Sequence, residues 1–232
     1  MADGVVMGRF VRLRPVEEGD LERIRRWRNS PEVYYPMYNW DPITPEMQAQ
    51  WYRNRVCDRE RNRFFVIERL VPVSAEVEDI VNSVDNRADE QGQPSSKQFL
   101  SGVPLSCGES GFRPVGLISL TNMEGRHRRG DLGFYIAEER ERAPGVALEA
   151  EYLLLRYGFD DLGLHKVWAE VLEGNEPVAR MHRNYGFHVE GTLREHVWHD
   201  GRYKNVFCLG LLAVDFSAAR GKIETLLKRL KQ

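Results

Sequence analysis

The stretch from Asp131 to Phe187 constrains the fold of this chain more than any other part of it. Asp131-Leu-Gly-Phe-Tyr-Ile-Ala137 has the apolar, aromatic character of a buried strand. Arg142-Ala-Pro-Gly-Val-Ala147 then opens a helix expected over 147–159, on which Leu148, Tyr152, Leu155 and Phe159 share a face. Gly163 precedes a second strand, His165–Leu172, and Asn175 reads as the N-cap of a helix with Pro177 in its first turn. That helix carries Val178, Met181, His182 and Tyr185 on one face and ends at Gly186. A strand running through a short loop into a helix start gathers free backbone N–H groups and the positive end of the helix dipole at one spot. Such a spot seats phosphate, so a phosphate-bearing cofactor is the first inference.

A lone Gly-x-Ala also serves simple chain reversal, and its weight comes from context. The order Arg-x-x-Gly-x-Ala147, long helix, strand, Asn175, helix, then Tyr-Gly-Phe187 and Glu190-Gly191 resembles the GNAT superfamily of N-acetyltransferases. The resemblance runs from Leu13-Arg-Pro15 to about Leu212. Two branches are similar: the ribosomal-protein N-terminal acetyltransferases with their relatives, and the aminosugar N-acetyltransferase of the pseudaminic acid pathway. Trp27-Arg28-Asn29, Leu164-His165-Lys166, Gly191-Thr-Leu-Arg-Glu-His196 and Asp200-Gly-Arg-Tyr203 lean towards the aminosugar branch. The resemblance implies an α+β fold with one mixed, mostly antiparallel sheet flanked by helices, and acetyl-CoA bound where two parallel strands splay.

Composition sets outer bounds. The 232 residues suit one domain, expected to run over 1–232. A formal net charge of -2 gives no global reason to expect a nucleic acid or an anionic membrane as partner. Cys57, Cys107 and Cys208 are odd in number and lack metal or redox spacing, which argues for a reducing compartment and against a metal site or disulfide framework. No basic region followed by an apolar run marks a signal, and no apolar run spans a bilayer, so a cytoplasmic protein is expected.

Along the chain, Phe10–Arg14 alternates as a strand does, and Leu21, Ile24 and Trp27 have helical spacing. Tyr34–Trp40 is too aromatic and too interrupted by proline for either regular structure and reads as a loop. Thr44 is the expected N-cap of a helix running through Trp51 and Arg55. Phe64–Ile67 and Gly116–Leu120 read as core strands. Between them, an insertion at 71–113 replaces the tight hairpin of relatives: Ser74–Val84 has helical spacing, and 85–110 turns polar and rich in Ser, Gly, Gln and Pro. Its role is open between a bland insertion and a segment docked by the cleft or at the interface of a homodimer. A strand over Arg202–Leu212 follows the turn at Asp200-Gly201, and a helix is expected over 217–232.

The resemblance assigns the cofactor pyrophosphate to Arg142, Ala143, Gly145, Val146 and Ala147, with Arg140 as a helper. It places the pantetheine arm beside Tyr135 and Ile136, where a backbone N–H polarises the thioester carbonyl, and gives Asn175 a part in holding the cofactor. His182 occupies the position of the tyrosine that protonates the leaving thiolate in many relatives, and an imidazolium preserves that acid chemistry. Core packing is its alternative role, and the better explanation of Tyr185. Asp131, Glu195 and His196 compete as general base with no base at all, since an α-amino-like amine is partly neutral at pH 7 with a reference pKa of about 8. Trp27, Arg28 and Asn29, with the aromatic loop and with Glu195 and His196, are the expected acceptor selectors: rings stack on a base and a guanidinium binds diphosphate.

Acetyl transfer to the primary amine of a small molecule, an amino sugar or nucleotide-linked amino sugar, is therefore the leading expectation. N-terminal acetylation of protein or peptide by the same chemistry is second, and a non-catalytic acyl-CoA-binding module third. Direct attack of the amine is expected, because no cysteine falls in the cofactor loop or its flanking helices.

Overall fold

Alternating β-branched and aromatic residues build eight strands into a single sheet. The computed structural model describes residues 4–38, 40–71, 111–137, 139–142 and 144–230. In chain order these form β1 (Val6–Met7), β2 (Val11–Pro15), α1 (Leu21–Arg28), the single turn α2 (Pro31–Tyr34), α3 (Pro45–Trp51), β3 (Arg63–Val71), β4 (Gly111–Glu124) and β5 (Arg129–Ile136). Then come α4 (Pro144–Arg156), β6 (Lys166–Leu172), α5 (Glu176–Asn184), β7 (His188–His199), β8 (Arg202–Leu212) and α6 (Ala213–Arg229).

The sheet order is β1-β2-β3-β4-β5-β6-β8-β7. Every neighbouring pair is antiparallel except β5–β6, which is parallel. Parallel pairing is confined to Arg129↔Lys166, Gly130↔Val167 and Asp131↔Trp168. Beyond it β5 runs on to Ile136 and β6 to Leu172 with no pairing between them, so the two strands splay. On the other side β5 stays zipped to β4, with backbones so close that a Cβ on Gly116 would meet the Tyr135 carbonyl oxygen.

The two faces of the sheet bury different clusters. One face, with Leu13, Phe65, Ile67, Ile118, Leu132, Ile136, Val167, Ala169 and Leu209, packs on α4, α5 and α6. The opposite face, with Val66, Leu117, Phe64 and Tyr135, receives Ile24 and Trp27 of α1 and Trp51 of α3.

Several elements differ from the sequence reading in extent. Helix α4 starts at Pro144, three residues before the expected 147, and closes in a π turn at Tyr157–Asp161. Proline fits a first turn, where its missing N–H has no acceptor to lose. Helix α6 begins at Ala213, directly after β8, because burial of Phe216 extends it upstream of 217. Asn175 precedes α5, yet its side chain makes no capping hydrogen bond, whereas Thr44 caps α3 by accepting from the Met47 N–H at 3.2 Å. Strands β3 and β4 extend to Val71 and back from Gly111, and the helix expected over Ser74–Val84 lies outside the described residues. No helix among the described residues is long and apolar enough to cross a membrane.

Candidate active site at the splayed strands

Two observations fix which backbone groups face the opening. The Ala137 N–H bonds the Val115 carbonyl at 2.8 Å, and the Ser119 hydroxyl reaches the Gly133 carbonyl at 3.3 Å. The main-chain groups of residues 133, 135 and 137 therefore face β4, and by strand alternation those of Phe134 and Ile136 face the gap. Of the predicted pair, Ile136 supplies the available N–H. Tyr135 instead sends its side chain to the opposite face, against the edge of Trp27 at 6.4 Å and 83°.

Just past β5 the chain turns over the sheet, held down by Glu141. Its carboxylate, 4 % exposed, accepts from Arg69 at 2.8 Å and Arg113 at 3.3 Å. The arginines on either side, Arg140 and Arg142, are exposed. Arg142 donates to the Glu32 carbonyl of α2 at 2.9 Å, which ties the loop to the other side of the opening. Ala143 lies outside the described residues. Gly145, Val146 and Ala147 form the first turn of α4, where N–H groups lack intrahelical acceptors. A Cβ on Gly145 would sit 3.1 Å from the Phe10 ring, a tight approach that a larger residue meets only if the ring shifts by a few tenths of an ångström.

Helix α4 is fixed by carboxylates inside an apolar run. Glu149 accepts the N–H groups of Arg9 (2.8 Å), Phe10 (2.5 Å) and Val11 (2.9 Å), which anchors the helix to the entry of β2. Glu151, fully buried, meets His182 of α5: Oε1 lies 2.6 Å from Nδ1. The contact with Glu151 uses Nδ1, which leaves Nε2 as the ring's other working nitrogen. The imidazole is 3 % exposed and sits edge-on to Phe134 at 6.2 Å, on the unpaired half of β5, and 4.9 Å from the Phe187 ring. Tyr185 takes the packing role: fully buried, its hydroxyl donates to the Leu148 carbonyl.

Asn175 lines a cavity of about 250 Å³ between α5 and the outer strands, together with Ala179, Arg183, Thr192 and Phe207. On the opposite face of the sheet, α2 and the aromatic loop reach across the opening. Tyr35 stacks on Trp40 at 5.3 Å, and both pack against buried His199, whose Nε2–H donates to the Tyr35 carbonyl at 2.6 Å. Tyr35 also donates to Asp200 at 2.8 Å, and Tyr38 to Glu170 of β6 at 3.0 Å. Burial, then the Glu170 charge, pushes the Tyr38 phenol up. Arg28 of α1 lies against the Met37 thioether, and burial pushes its guanidinium down.

Of the residues expected to select the acceptor, Asn29 has its amide engaged within the chain, and Glu195 and His196 lie on the outer edge strand. Asn29 spends its amide on Ile43, donating to the carbonyl at 2.9 Å and accepting from the N–H at 2.8 Å. Glu195 and His196 are exposed on β7, the outer edge strand, separated from β6 by β8. A register shift at Leu193/Val197 and a φ of 49° at Glu195 mark a bulge there, not a cleft wall. Asp131 sits in the paired base of the opening and accepts from Asn122 at 2.7 Å. Sequence reasoning missed Glu151 and Glu170. The only signal for the first was an acid in the middle of an otherwise apolar helix.

Residues 11–188 match the acetyltransferase (GNAT) domain family. A prophage-derived uncharacterized N-acetyltransferase of Bacillus subtilis, YokL, is 32 % identical over 114 residues, 49 % of this chain and 63 % of that protein. The spermidine N(1)-acetyltransferase of Escherichia coli is 34 % identical over 91 residues, 39 % of this chain and 48 % of its own length. The chain thus spans about half to two thirds of these relatives. Among solved structures, spermidine N-acetyltransferase from Vibrio cholerae in complex with CoA and spermine superposes with a TM-score of 0.66 at 20 % identity, covering 89 % of this chain and 98 % of that one. A GCN5-related N-acetyltransferase from Brucella melitensis gives 0.64 at 17 % identity, over 98 % and 86 %. The mixed sheet with its parallel splay is the fold these structures share, and the chain belongs to the GNAT acetyltransferase family.

Proposed function

We propose that the protein is an acetyl-CoA-dependent N-acetyltransferase acting on the primary amine of a small molecule, with an amino sugar or nucleotide-linked amino sugar as first candidate. The observation that carries this reading is the unpaired half of β5 and β6, with the chain running from the end of β5 at Ile136 into the first turn of α4 at Pro144. The residues suit the cofactor: first-turn N–H groups at Gly145, Val146 and Ala147 for a pyrophosphate, with Arg142 and Arg140 exposed beside them. Bound there, acetyl-CoA supplies a thioester-activated acetyl group. Ile136 N–H, facing the opening, is the donor for the thioester carbonyl. Glu151 holds Nδ1 of His182, so that in the imidazolium form Nε2–H passes its proton to the departing thiolate.

Glu170, at the unpaired end of β6, is placed to accept the proton of the incoming ammonium. Direct attack by the amine fits the cysteines. Cys208 pairs in register with Glu170, and burial, then the charges of Glu170 and Glu190, push its thiol up and keep it from acting as a thiolate. The bridge from Tyr35 to Asp200 and His199 closes one side of the acceptor face, which favours a small acceptor over a threaded peptide terminus. A polyamine acceptor is the second reading, supported by the similarity to spermidine acetyltransferases. Exposed Val189, Leu193 and Trp198 on the edge strand β7 suit a homodimer, which sedimentation velocity measures.

Thiol release from acetyl-CoA, followed against amino sugars, nucleotide-linked amino sugars, polyamines and N-terminal peptides, tests the reading. Turnover with one small amine class supports it. Acetyl-CoA binding without turnover of any amine contradicts it and leaves a cofactor-binding module.

A further inference from the structure

We propose that the acceptor is zwitterionic at the site: it carries an anionic group beside its amine, the anion held by Arg28 and Tyr135 and the ammonium by Glu170. The proposal rests on the transferase reading above and specifies its acceptor. Met37 and Tyr38 are consecutive residues of the aromatic loop, one touching the Arg28 guanidinium and the other donating to Glu170 at 3.0 Å. A single loop thus brings together a cation facing the β5 arm of the opening and a carboxylate on the β6 arm.

No ion pair joins Arg28 to Glu170 or to any other acid among the described residues; its polar contact is the Met37 sulfur, a weak and uncharged acceptor. Beside it the buried Tyr135 phenolic oxygen has no hydrogen-bond partner. Burial pushes that phenol up, with the Arg28 charge opposing, so it is a neutral O–H donor. A desolvated guanidinium without a counter-charge and a buried donor without an acceptor each cost free energy. One anionic oxygen group satisfies both. Glu170 is exposed and accepts from Tyr38 and, at 3.4 Å, from the Trp168 indole, so it has lone pairs left for an ammonium. A polyamine satisfies Glu170 and leaves Arg28 facing a like charge.

Carboxylate and phosphate share this chemistry, and matched acceptors separate them. We would compare glucosamine 6-phosphate with glucosamine, and an α-amino acid with its amide, alongside spermidine. The expected result is a kcat/KM about 10- to 100-fold higher for at least one acidic member than for its neutral partner, the range of one charge-assisted hydrogen bond or pair. Arg28→Gln should collapse that ratio through KM, Arg28→Lys should restore part of it, and Tyr135→Phe should lower it less. The outcome that overturns the proposal is spermidine or the neutral partner as the better substrate, or a ratio untouched by Arg28→Gln. If no amine turns over, calorimetry of the acidic compounds on CoA-saturated protein decides. Binding lost in Arg28→Gln keeps this assignment while the transferase reading falls, and binding insensitive to Arg28 removes it.

Discussion

The two faces of the sheet treat buried polarity differently. On the α4–α5 face Glu149 is saturated by three backbone N–H groups, Glu141 by two arginines, and His182 by Glu151. On the α1–α3 face Glu68 and Asp20 are likewise met by Arg12 and Arg14, but the Tyr135 hydroxyl and one nitrogen each of Gln48 and His199 are buried without partners. Glu151 Oε2 and Arg220 Nε of α6 are the exceptions on the first face, and the former sits beside the His182 ring. The contrast separates what folding completes from what a ligand completes. On the function proposed above, the braced face carries the cofactor, and the Tyr135 hydroxyl on the other face is a donor left for a substrate.

Breaking the bracing gives the largest effect. Glu149→Ala strands three N–H groups at a buried junction and should cost about 3 kcal/mol or more in chemical denaturation, with Glu149→Gln between it and the parent. A loss under 1 kcal/mol would mean that the face is less dependent on its polar anchors than described here. Next in size, His182→Ala should lower kcat about 100-fold with acetyl-CoA affinity within about twofold. An equal loss of affinity assigns His182 to packing. Arg142→Ala should raise the KM for acetyl-CoA about tenfold. An unchanged KM leaves Arg142 as the tether to Glu32 alone. Smallest is Tyr135→Phe: removing an unpartnered hydroxyl should leave stability level or raise it by up to about 1 kcal/mol. A clear loss would place a hidden partner on that oxygen and blur the contrast between the faces.

What the sequence made legible follows the same division. The run β5, α4, β6, α5 could be read because each element carries local signals: aromatic strands, Gly145 at a helix start, Gly186 at a helix end. The twelve residues of β7 could not, since nearly all are exposed and the strand exists by pairing with β8 and not by burying a face. Glu149 and Glu151 look like surface charges to any periodicity argument, because their partners lie in β2 and α5, far along the chain. Tyr38 and Glu170 are separated by 132 positions and meet only once the loop folds across the opening. Asn29 shows the reverse: it reads as a substrate contact beside two plausible selectors, while a local loop at Ile43 engages both ends of its amide. Of Trp27-Arg28-Asn29, Arg28 keeps an unmet charge, and only the tertiary surroundings distinguish it.

The central claim is that acetyl-CoA lies in the splay with its phosphates on the first turn of α4. Backbone amide chemical shifts recorded while acetyl-CoA is titrated into the full chain test it directly. The account predicts the largest shifts at Phe134, Ile136, Gly145, Val146 and Ala147, with Glu195 and His196 on β7 unmoved. Shifts concentrated instead around the cavity lined by Ala179, Thr192 and Phe207, with the α4 turn silent, would contradict it.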